Sequence, residues 1–116
     1  MPWRKDDFLS GQVDLLLDAI HDRWFCIDAM RHDLDKRLWM LPFGDDIRRP
    51  CERQIMVTQV KACHVQDTEK VGFYDIDRLI LRDNEGCVLQ LKCNIPLDLR
   101  LEVEPSFLVS VEPAGR

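Results

Sequence analysis

The chain is short of the residues that most often carry recognisable chemistry: it has 3 histidines, 1 tyrosine and 5 glycines in 116 residues. The glycines stand apart from one another, so there is no glycine-rich loop to cradle a phosphate. Its 5 cysteines, Cys26, Cys51, Cys63, Cys87 and Cys93, are odd in number, and their spacing fits neither a C-x-x-C pair nor a zinc knuckle. No apolar run approaches a membrane span, and the stretch from Met1 to Ser10 holds no apolar signal segment. The expectation is therefore a cytoplasmic protein with reduced thiols, no membrane partner and no cofactor. Basic charge is scarce as well. Against 21 Asp and Glu stand 16 Lys and Arg, for a net charge of −5. Neither half carries a basic tract, so no nucleic-acid partner is expected, and the acidic balance suits solubility or a basic partner.

What the chain does have is a long alternation. From Cys87 to Val103 every odd position is apolar, among them Leu89, Leu91, Ile95, Leu97, Leu99 and Leu101. The even positions from Gln90 to Glu102 are polar apart from Pro96. A period of two puts one side of an extended chain in a core and the other in water. Pro96 removes a ladder donor and predicts an edge, a bend or a break between two short strands. The length is that of one domain, residues 1–116, and the 46% hydrophobic content is enough for a packed core without staples.

Upstream, Gly11 to Asp22 reads as an amphipathic helix with Val13, Leu16, Leu17 and Ile20 on one stripe and Ser10 as N-cap. Trp24 to Arg31 and Arg37 to Phe43 read as a hairpin, and Gly44 to Gln54 as an exposed loop. Ile55 to Val65 reads as one strand. Val71 to Arg82 is another, with a change of parity near Asp77-Arg78 that signals a bulge. Phe107 to Glu112 closes the set. The expected fold class is α+β: one N-terminal amphipathic helix packed on an antiparallel sheet of about six or seven strands, with partial closure into a barrel or a sandwich as variants.

No catalytic residue can be named. His-Asp occurs at His21-Asp22 and His32-Asp33, but histidine–aspartate phosphohydrolases place such pairs on several helices of a bundle, and this chain offers one helix. A helix end and a turn account for both pairs. His21, His32 and His64 with nearby carboxylates are chemically suited to zinc or iron, provided that they converge. Cys51 stands near Arg49 and Arg53, a setting that can lower a thiol pKa. Asp75 and Asp77, two apart, share a strand face. With the row Asp98, Arg100 and Glu102, and with Arg48 and Arg49 of the loop, they are the candidate partner-binding residues.

The helix ending in Ile20-His21-Asp22, followed by a strand from Trp24 to Ala29, resembles the opening of small bacterial immunity-type proteins and related uncharacterised families. That resemblance implies inhibition by binding a partner protein. It agrees with the leading expectation, a non-enzymatic domain that binds another protein or itself through its half-wet sheet and sheet edges. The alternative is a small metal-dependent or ligand-binding enzyme built on His21, His32 and His64.

Overall fold

The long alternation becomes two strands, joined at the turn around Pro96, in the middle of one of two sheets. A computed structural model describes residues 2–48, 51–84 and 86–114. In chain order the elements are β1 (Trp3–Arg4), α1 (Lys5–Leu9), α2 (Asp14–Ile20), β2 (Trp24–Cys26), a 3-10 turn (Ile27–Ala29), β3 (Arg31–Asp33) and β4 (Leu38–Phe43). There follow β5 (Arg53–Val57), β6 (Val60–Gln66), β7 (Phe73–Arg82), β8 (Cys87–Cys93), β9 (Asp98–Val103) and β10 (Leu108–Pro113). The first sheet runs β1-β10-β5-β4-β3 and the second β2-β7-β8-β9-β6, all neighbours antiparallel. Trp24 and Gly44 exchange backbone bonds of 2.8 and 2.9 Å, which tie the sheets together at one corner.

The expected single sheet under one amphipathic helix is thus overturned. Among the described residues there are two five-stranded sheets and two short helices. Three local features explain the difference. The helix read over Gly11 to Asp22 begins only at Asp14, because Gly11 has φ +77° and Ser10 terminates α1. The stretch Trp24 to Arg31 is divided by the 3-10 turn, so β2 pairs with β7 in the second sheet and only β3 pairs with β4. The stretch Ile55 to Val65 is divided at Gln59, whose φ of 59° turns the chain from β5 in one sheet to β6 in the other. A non-glycine residue at positive φ carries no sequence signal for a turn.

Other readings match. The ladder between β7 and β8 slips between Ile76 and Arg78, the bulge signalled by the parity change. Inward positions before it are Tyr74 and Ile76, and after it Leu79. Leu89, Leu91, Leu99, Leu101 and Val103 are all buried, facing Trp39, Leu41, Phe43, Ile55 and Val57 in one core. Leu16 and Ile20 of α2 are fully buried in the same core, while Leu15 on the opposite side is 75% exposed. At about 1.5–3 kcal/mol for each buried aliphatic side chain, an upper figure, Leu16 and Ile20 are what hold α2 in place. Phe8 docks α1 edge-on against Phe107, centroids 5.8 Å apart.

Candidate functional site

Burial of the odd positions in β8 and β9 leaves the even ones on the outer face of the second sheet, and strand pairing sets them in rows. Arg82, Val88 and Glu102 form one row, and Ile80, Gln90, Arg100 and His64 the next. Arg78 lies opposite Lys92 beyond them. At the centre, Gln90 is 8% exposed although it faces outward, because its charged neighbours fold over it. Arg82 Nε donates to Gln90 Oε1 at 2.5 Å, and Gln90 Nε2 donates to Asp98 Oδ1 at 3.4 Å. Arg100 Nε donates to the same Asp98 oxygen at 3.0 Å, while His64 Nε2 meets Glu102 Oε2 at 2.5 Å. Two open troughs flank this ridge. One of about 420 Å³ lies along His64, Arg82, Val88 and Arg100. The other, of about 450 Å³, lies along Gln66, Gln90, Lys92 and Asp98.

The candidate partner-binding residues fall in separate places. Asp98, Arg100 and Glu102 belong to this face. Asp75 does not: its carboxylate accepts from Asn94 Nδ2 at 2.9 Å and from the Ile95 amide at 3.2 Å, holding the turn between β8 and β9. Asp77 sits at the bulge, 3.8 Å from His21 Nε2 and 3.5 Å from Arg78 Nε. Arg48 is exposed, with its amide bonded to Asp46 Oδ1 at 2.8 Å, and Arg49 lies outside the described residues. Sequence reading missed Gln90 as the hub and His64, Arg82 and Lys92 as its neighbours. Their even numbering along the alternation was the available signal, but it named a wet side without saying which polar groups cluster there.

The three imidazoles do not meet. His21 ends α2 beside Asp22 and Asp77, His32 of β3 contacts the Val60 carbonyl oxygen at 3.2 Å, and His64 lies on the outer face. Among the described residues no group of three or more His, Cys, Asp or Glu is placed to hold a metal ion. The thiols are scattered too, and all are free. Cys93 is pushed up to about 12, first by burial and then by the carboxylates of Asp75 and Asp77. Burial also raises Cys63, less the effect of the Trp39 indole, and raises Cys87, which donates to Asp83. Raised thiols are poor nucleophiles. Cys51 is exposed at a groove shared with Asp28 and Arg31 on the first sheet.

Comparison with protein-family models, with curated proteins and with solved structures found no match for the chain. None of the three therefore points to an enzymatic activity. No helix among the described residues is long and apolar enough to cross a membrane.

Proposed function

We propose that the chain is a non-catalytic binding domain that holds a partner protein on the outer face of its second sheet. One observation carries this reading. Arg82, Gln90, Asp98 and Arg100 form a connected hydrogen-bond network across three strands on an exposed surface, with open troughs on either side. The inner side of those strands is filled by Leu89, Leu91, Leu99 and Leu101, so the outer polar network is not needed to close the core. Side chains held in fixed rotamers lose little freedom on association, which is how a preorganised surface favours binding. Half-buried Ile80 and Val88 supply apolar contact among the charges.

The test is site-specific photocrosslinking in extracts of the source cells. A benzophenone side chain at Val88 should give a protein adduct that excess untagged chain competes away and that Arg100→Glu abolishes. The same group at Asp28, exposed in the 3-10 turn that leads into the first sheet, should give no such adduct. Equal labelling from both positions, or none from Val88, refutes the proposal.

A further inference from the structure

We infer that the segment received on this face is an acidic, extended stretch of another protein, an inference that rests on the binding reading above. Beyond the bulge, the outer rows of β7, β8 and β9 are locally electropositive on a chain whose net charge is −5: they carry Arg78, Arg82, Lys92 and Arg100 against Asp98 and Glu102. Asp75, before the bulge, is engaged by Asn94 and the Ile95 amide, and Asp77, at the bulge, by Arg78. The two carboxylates on the face are already engaged, Asp98 with Arg100 and Gln90, and Glu102 with His64. Lys92 makes no ion pair among the described residues. Arg82 and Arg100 are each held by Nε, to Gln90 and to Asp98, and among the described residues the terminal nitrogens of each guanidinium are left for a ligand. A fork fixed at its base is suited to receive carboxylates bidentately.

Spacing favours an extended ligand. Arg78 and Arg82 stand two side-chain repeats apart on β7, roughly 13 Å, the interval between carboxylates four residues apart in an extended strand. Ile80 lies between them and Val88 beside Arg82, seats for small apolar side chains between the acids. A single-stranded nucleic acid fits less well. It needs aromatic platforms for its bases, and the outer rows of β7 beyond the bulge, β8, β9 and β6 hold no Phe, Tyr or Trp; the half-buried Trp24 and Phe73 lie at the β2 end of the sheet, apart from Arg82 and Arg100. A second copy would present its exposed acids mostly from helices and turns, such as Asp6, Asp14, Asp18, Asp35, Asp45 and Asp46, in a head-to-tail contact that does not close on itself.

Fluorescence anisotropy of the purified chain tests this directly. The probes are a labelled peptide of about ten residues with Glu at every fourth position, Val midway between successive Glu and Ser elsewhere, the same peptide with Lys for Glu, and an oligothymidylate of equal length. The Glu peptide should bind. Its affinity should fall about tenfold or more between low salt and 0.2 M salt, as screening predicts. Arg82→Glu with Arg100→Glu should cost at least tenfold. Arg78→Gln with Lys92→Gln, at exposed and half-exposed positions, should cost severalfold with the unfolding curve unchanged, which separates loss of the site from loss of the fold. Tighter binding of the Lys peptide or the oligonucleotide, or no effect of either variant, overturns the inference. So does sedimentation that grows with chain concentration and is abolished by the same variants, which would make a second copy the occupant. If the Glu peptide fails while the Val88 crosslink to a protein persists, the acidic partner is wrong and the binding reading stands; if both fail, both fall.

Discussion

Asp75 illustrates how a residue's partners settle what its sequence position leaves open. Two carboxylates two apart on a strand read as a surface pair, yet Asp75 is committed to Asn94 and to the Ile95 amide. Asp75→Ala removes both bonds and leaves a half-buried amide to find water, so urea unfolding should show a loss of about 1–3 kcal/mol. Gln59 is the converse. At φ 59° it adopts a conformation natural to glycine, is exposed, and contributes its carbonyl to the Glu104 amide at 3.0 Å. Gln59→Gly keeps that bond and relieves the left-handed strain, so it should raise stability by about 0.5–1 kcal/mol or leave it unchanged after the cost in chain entropy. The thiols give a pH signature. Cys93 is raised from 9.0 to about 12, so the folded chain holds its proton where the unfolded chain has lost it. The stabilising contribution is complete below pH 9.0 and is lost as pH rises toward 12, with Cys63 and Cys87 shifted in the same direction. Unfolding midpoints measured across that window should fall, and less steeply in Cys93→Val. At pH 8.5 iodoacetamide should label Cys51 first.

The elements were legible where hydrophobic period alone determined them. Leu89, Leu91, Leu99 and Leu101 alternate because β8 and β9 each bury one face, and Pro96 falls in the turn between them. The bulge at Asp77 was legible because it shifts the buried parity of β7. What escaped were the places where the chain changes sheets. Ile27–Ala29 is a single 3-10 turn of ordinary residues, and Gln59 turns without glycine or proline, so neither interrupts the apolar pattern that reads as one continuous strand. Arg53 and Gln54, assigned to a loop by their polarity, are the start of β5, with Arg53 stacked 5.2 Å over the Phe43 ring. For these strands the decisive test is the core: Leu101→Ala, at a fully buried position on β9, should destabilise by about 2–5 kcal/mol in urea unfolding.

For the whole molecule, a charge sum says nothing of which strand faces carry it: the chain has a net charge of −5, yet Arg78, Arg82, Lys92 and Arg100 gather on the outer rows of β7, β8 and β9. Alternation identified that face as wet; only strand order, β7 beside β8 beside β9 beside β6, brings Arg82, Gln90, Arg100 and His64 into adjacent rows. The same order pairs strands distant in sequence, β10 with β5 and β9 with β6, so loop closure must precede most of the ladder. Refolding monitored by tryptophan fluorescence should therefore occupy about milliseconds to seconds, not microseconds. The pairing of Trp3 with Val109 and Arg4 with Leu108 has a mechanical side. Because β1 and β10 run antiparallel, the backbone before Trp3 and the backbone beyond Pro113 leave the first sheet at the same end. Tension applied between those points loads the β1–β10 bonds one after another, as a zip opens, and not together in shear. The molecule should yield to such a pull at low force, peeling β1 away while the second sheet stays intact.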